Sequence, residues 1–152
     1  MNAQHPTSNA QLSRRGNQEP RVVKYDLEER LLEYAALIIF LVEKLPISRS
    51  GNHVAGHLLR CGTSPLPNHG EAQAAESAAD FIHKMSICLK ELKETRRWLR
   101  LVKKMMWCKV LAEIDASLAE TEELIKIFAS SIRTAKENRI ERKQTAPLIA
   151  NR

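Results

Sequence analysis

Between residues 26 and 138, apolar side chains recur every three or four positions in four separate stretches. The first stretch predicts a helix from Asp26 to Lys44, with Leu27, Leu31, Tyr34, Ile38, Leu41 and Leu45 on one stripe. Leu37, Ile39 and Phe40 widen that stripe, so burial on more than one side is expected. Asp26 suits the N-cap, Glu28 and Glu29 suit the first turn, and Pro46 ends the helix. A second helix, capped by Ser48, carries Val54, Leu58 and Cys61 inward. Residues 62–67 (Gly-Thr-Ser-Pro-Leu-Pro) must break or kink it, because proline removes a backbone donor and crowds the preceding turn. An Ala-rich segment from Asn68 to Ala79 is expected to resume the helix. Ser77, with Asp80 at capping-box spacing, then starts the longest helix, Ala78 to Met106. Its inward stripe is Phe81, Met85, Cys88, Leu92, Thr95, Leu99, Val102 and Met106. The last helix runs from Leu111 to Asn138, with Ile114, Leu118, Ile125, Phe128, Ile132 and Ala135 inward. Nothing alternates with period two. The expected fold is all-α, an antiparallel up-down-up-down four-helix bundle with a kinked or broken second helix.

Composition agrees with this pattern. Of 152 residues 43% are apolar but only 5% aromatic, and five glycines and six prolines fall mostly outside the periodic stretches. The longest apolar run, Tyr34 to Val42, is far short of the roughly 18 residues a membrane span needs. The polar start, Met1 to Glu19, does not read as a secretory signal. Cys61, Cys88 and Cys108 are an odd, scattered set without a CxxC pair, and read as reduced, buried thiols of a cytoplasmic protein. Residues 1–24 are expected to form a disordered basic tail, residues 25–138 the bundle, and residues 139–152 a flexible basic tail.

Charge distribution changes the picture further. The net charge is +6, and each tail contributes +3, so the bundle between them is neutral. It is also polarised: Lys84 to Lys109 holds nine basic residues against Glu91 and Glu94. Lys90, Lys93, Arg97, Arg100 and Lys104 recur at spacings of three and four, forming one stripe with Arg96 and Lys103 beside it. A solvated face is the simplest reading of such a stripe. The scarcity of interleaved acids and the two basic tails favour a nucleic-acid backbone, whose binding releases counterions. The competing partners are acidic helices of the same protein, the first (net −3) and the start of the last (net −4 over Val110 to Lys126).

Other chemistry-bearing groups are sparse. His53 and His57 sit one helical turn apart, a metal-compatible spacing that His69 and His83 could extend. There is no HExxH, and the Glu-x-x-His signature of di-iron bundles is approached only by Asp80 and His83, so no metal site is assigned. Glu71, Glu91 and Glu94, with Arg60 and Asn68, read as a structural polar network rather than acid–base machinery. Trp98 and Trp107 read as packing residues, with base stacking the alternative for Trp98 beside the ladder. No nucleophile elbow, phosphate-binding glycine loop or Rossmann pattern is present. Neither catalysis, nor a cofactor, nor a small-molecule substrate is expected.

Several segments carry a family resemblance. They are residues 26–32 (DLEERLL), 58–64 (LLRCGTS), 68–72 (NHGEA), 76–84 (ESAADFIHK), 89–99 (LKELKETRRWL) and 130–136 (SSIRTAK). In order and spacing they resemble the bacterial four-helix bundle proteins encoded in 23S rRNA intervening sequences. The resemblance spans about residues 26–137. It implies a bundle that assembles into a pentameric ring, and kinship with the accessory variability determinant of diversity-generating retroelements, a basic barrel that binds a reverse transcriptase and nucleic acid. Pro65-Leu66-Pro67-Asn68 departs from the family pattern of one apolar residue, Gly or Pro, then Ala-Asn, which predicts a sharper break in the second helix. The leading expectation is a non-catalytic, oligomeric, nucleic-acid-associated bundle. The alternative is an accessory protein that binds a reverse transcriptase.

Overall fold

In the computed structural model, which describes residues 26–107 and 111–145, the periodic stretches form five helical segments in the order α1 (Leu27–Val42), α2 (Arg49–Thr63), α3 (Pro65–Gln73), α4 (Ala78–Met105) and α5 (Leu111–Thr145). Segments α2 and α3 are the two arms of one bent helix, so the architecture is the antiparallel four-helix bundle. No strand occurs among the described residues. The expected basic tail 1–24, the last residues 146–152 and Cys108 lie outside the described residues.

The capping residues act as their types dictate. Asp26 accepts from the backbone N–H groups of Glu28 (3.1 Å) and Glu29 (3.2 Å). Ser48 accepts from Gly51 (3.0 Å) and Ser77 from Asp80 (3.1 Å). Each bond satisfies a donor that has no partner inside the helix.

Between the bent helix's arms, the prolines interrupt less than their number suggests. The break is confined to Ser64, whose φ of −57° and ψ of −34° stay right-handed helical. Pro65 and Pro67 fall in the first turn of α3, where their missing N–H groups would have no intrahelical partner. The helix therefore resumes at Pro65 rather than at the expected Asn68. The Asn68 side-chain amide donates to the Ser64 carbonyl (2.9 Å) and hydroxyl (3.0 Å), bridging the bend. Helix α3 stops at Gln73, short of the expected Ala79, and residues 74–77 turn the chain into α4.

The core joins all helices. Leu31, Tyr34, Ile38 and Leu41 of α1 meet Val54, Leu58 and Cys61 of α2, Met85, Cys88, Leu92, Leu99 and Val102 of α4, and Ile114, Leu124, Phe128 and Ile132 of α5. Its hydroxyls are satisfied, whereas Nδ1 of buried His69 has no partner among the described residues. The Tyr34 hydroxyl and Thr121 Oγ1 lie 2.7 Å apart, and Thr95 and Thr121 donate to carbonyls one turn back. Burial holds the Tyr34 phenol far above its ordinary pKa, so it stays neutral.

Three expectations need correction. Met106 is exposed, because it caps α4 in the left-handed conformation (φ 50°) and so turns away from the stripe. Ile39 and Phe40 are 43% and 68% exposed, because α2, α3 and α5 cover only the arc centred on Tyr34 and Ile38. Residues 139–145, expected as tail, continue α5 with no proline or glycine to stop them.

Two glycines mark close approaches. A Cβ on buried Gly62 would stand 2.6 Å from Ile38 Cγ2, so glycine lets the end of α2 press against α1. A Cβ on Gly51 would stand 1.9 Å from the Pro46 carbonyl oxygen. At Gly56 it would meet nothing within 4 Å. In urea unfolding, Gly62→Ala should destabilise by about 1–3 kcal/mol and Gly51→Ala by at least as much, since a backbone atom cannot yield. Gly56→Ala should stabilise by about 0.5–1 kcal/mol, through helix propensity alone.

Candidate nucleic-acid interface

Helix α4 packs against α2, α3 and α5, which leaves one strip of its surface facing outward. Every third or fourth residue on that strip is a cation. Lys90, Lys93, Arg97, Arg100 and Lys104 are all exposed. None has an acidic side chain within ion-pair distance among the described residues; the one bond in the row is from Arg97 Nη1 to the Lys93 carbonyl (3.4 Å). Side chains three or four positions apart stand about 5–6 Å from one another, so the five cations form an unbroken row.

The two basic residues beside the row behave differently. Arg96 reaches α5 and contacts both carboxylate oxygens of Glu122 at 3.2 Å. Lys103 donates to Asp115 of α5 at 2.5 Å. Arg30 and Lys44 of α1 likewise pair with Glu120 and Glu113 of α5. The acidic start of α5 is therefore occupied by α1 and by these two flanking residues, while the central row is left to solvent. Sequence spacing set five cations in the row and two beside it; packing shows that the two flanking ones are engaged by α5, while the five have no acidic partner among the described residues.

The expected polar network assembles in part. Arg60 of α2 reaches Glu91 (3.3 Å) and Glu94 (2.6 Å) of α4, and Glu91 is buried. Glu94 also accepts from Trp98 Nε1 (3.4 Å) and lies 4.0 Å from His57 Nδ1. Asn68 belongs instead to the bend at Ser64, and exposed Glu71 pairs with Lys84, which raises the Lys84 pKa. The network thus ties α2 to α4, with Asn68 and Glu71 serving α3.

The histidines separate. His53 and His57 stand side by side, ring centroids 4.6 Å apart, and His57 stacks on Trp98 at 4.8 Å with an interplanar angle of 24°. His83 is exposed elsewhere on α4. His69 is buried edge-on against Phe128 (6.1 Å) with Nε2 3.2 Å from the Gln73 amide, and burial lowers its pKa. No group of three His, Cys, Asp or Glu residues able to hold a metal forms among the described residues. Burial pushes the Cys61 thiol up to about 11 and Cys88 up to about 12, so both remain protonated packing groups at neutral pH. The stacked His57–Trp98 pair was missed in the sequence, because it joins positions on different helices.

Together these features define an all-α class, an antiparallel helical bundle with one cationic face. The description "23S rRNA-intervening sequence protein" matches over residues 29–130, and the chain belongs to that family. Among solved structures, the chain is similar to a protein of unknown function from the S23 ribosomal protein family of Bacteroides thetaiotaomicron VPI-5482. The two share 32% identity with a TM-score of 0.65, covering 70% of this chain and 98% of that one. No curated protein matches. Among the described residues, no helix is long and apolar enough to cross a membrane.

The Arg60 bridge gives a direct test. Arg60→Met should destabilise the fold by about 1–3 kcal/mol, because it leaves the buried Glu91 carboxylate without its cation. Adding Glu91→Leu should recover most of the loss in the same denaturant titration.

Proposed function

We propose that this chain is a non-catalytic, oligomeric bundle that associates with nucleic acid through the outward face of α4. The observation that carries the reading is the row Lys90, Lys93, Arg97, Arg100 and Lys104, exposed and without acidic partners among the described residues while its neighbours Arg96 and Lys103 are paired. Unpaired cations in register are suited to a phosphate backbone, since binding releases the counterions condensed on it. Arg139 and Arg142 on the far end of α5 add to the basic surface. Membership of an rRNA-intervening sequence family is consistent with that partner.

Oligomerisation is supported by apolar groups that the single chain leaves uncovered. Leu32, Ile39 and Phe40 of α1, Ile47 in the following turn and Leu59 of α2 are all exposed. Side chains of this size on two adjacent helices call for a protein surface. A ring of five copies is the assembly implied by the resemblance to intervening-sequence proteins. The same apolar surface favours the second reading, an accessory protein bound to a reverse transcriptase. That reading gains if a reverse transcriptase covers the surface and displaces self-association.

Two measurements test the proposal. Lys93→Glu, Arg97→Glu and Arg100→Glu combined should abolish salt-sensitive RNA or DNA binding without lowering the melting temperature. For the unmodified chain, five phosphate contacts to a single strand predict a slope of roughly −3.5 in log K against log salt. Absence of any salt-sensitive binding defeats the reading. Sedimentation should give a mass about five times the 17.3 kDa chain, and Phe40→Glu with Ile39→Glu should reduce it to that of the monomer.

A further inference from the structure

The outer face of α2 holds a groove that the cationic row does not explain. Asn52, His53, Gly56, His57 and Arg60 line it, and its volume is about 310 Å³. We propose that this groove receives an unpaired nucleobase from a single strand whose phosphates lie along the α4 row. The proposal rests on the nucleic-acid reading above and names the form of nucleic acid that the face selects.

Three rings step outward from the core to the groove. Trp98 packs against the core, and His57 lies nearly parallel on it at 4.8 Å. Exposed His53 follows, 4.6 Å from His57 and edge-on to Trp98 at 6.2 Å. The half-buried tryptophan, held against the core and bonded through Nε1 to Glu94, anchors the inner ring, so the outer rings stack on a fixed support. Such a surface suits the flat face of a base, which every nucleotide offers when it is unstacked. Gly56 keeps the floor clear, since a Cβ there would point into open space.

Polar groups at the rim match a base edge. The Asn52 side chain makes no hydrogen bond among the described residues, and its amide offers both donors and an acceptor. Arg60 is held by Glu91 and Glu94 yet remains 55% exposed, which presents its guanidinium plane for stacking. A metal ion fits poorly. The His53–His57 pair has no third ligand among the described residues, and the Arg60 charge at the rim repels a cation.

Position links groove and row. Trp98 directly follows Arg97 but lies about 100° further round α4, so the groove opens beside the row on the flank that meets α2. A chain whose phosphates contact the row therefore passes the groove with its bases. A duplex, whose bases are stacked and paired, can use the row but not the groove. Selectivity for single strands should follow.

The test compares fluorescently labelled 12-nucleotide single-stranded RNA, single-stranded DNA of the same sequence, and the corresponding duplexes by anisotropy. Gly56→Leu fills the groove and His53→Ala removes its outer ring; both positions are exposed, and melting curves confirm that each variant folds. Each change should weaken single-strand binding by about tenfold, the size of one lost base stack, and leave duplex binding unchanged. Retained single-strand affinity in both variants, or equal losses on single strand and duplex, overturns the base site while leaving the charge reading intact. Failure of the unmodified chain to bind any of the probes overturns both. Weakening on RNA alone supports the groove with RNA as its source, through a contact to the 2′-hydroxyl. Equal weakening on both single strands supports it as a reader of base and phosphate only.

Discussion

The packing of α4 governs the rest of this molecule. Met85, Cys88, Leu92, Thr95, Leu99 and Val102 lock one side of the helix into the core. Its flanks are fastened by ion pairs, Arg60 with Glu91 and Glu94 toward α2, and Arg96 with Glu122 and Lys103 with Asp115 toward α5. The exposed pairs among these, Arg96–Glu122 and Lys103–Asp115, are individually weak, each about 0–1 kcal/mol. Their effect here is rotational: they add to the apolar stripe in fixing the outward face of α4. That face carries the unpaired cations.

The bend between α2 and α3 serves the same arrangement. A straight second helix would keep one crossing angle along the whole bundle. With the turn at Ser64, α2 lies against α1 and α4 while α3 follows α4. Gly62 allows the close approach to Ile38 just before the bend, and the Cys88 thiol donates to the Pro65 carbonyl (3.5 Å) just after it. The elbow also sets the groove, because α2 brings Asn52, His53, Gly56, His57 and Arg60 alongside Trp98.

The surface is then divided by chemistry. α1 presents apolar side chains, α4 presents cations, and the acids at the start of α5 are spent on cations of α1 and on the flanks of α4. Apolar self-association and a cationic face on different sides are compatible in one assembly. Adjacent copies in a ring would repeat the α4 row around it and multiply a weak phosphate contact by valency.

Much of this was decided by the chain locally. The 3.6-residue period selected helices, Asp26, Ser48 and Ser77 set their starts through their own side-chain oxygens, and three- and four-residue spacing put the cations in one row. The family segments reinforced the same four-helix reading. These features need only neighbours along the chain. Tertiary structure decided what depends on distant partners. Spacing put Arg96 and Lys103 beside the row of Arg97 and Lys104, but only the fold showed that the carboxylates of α5 engage the two flanking residues. Pro65 and Pro67 predicted a wide break, but a helix start has no need of their N–H groups, so the gap closed to one residue. Ile39 and Phe40 continued an apolar stripe whose neighbours cover only part of it. His57 and Trp98 became a stacked pair because α2 and α4 met. Local propensity is read from nearby residues, whereas pairing and burial depend on which surfaces meet after the chain has folded.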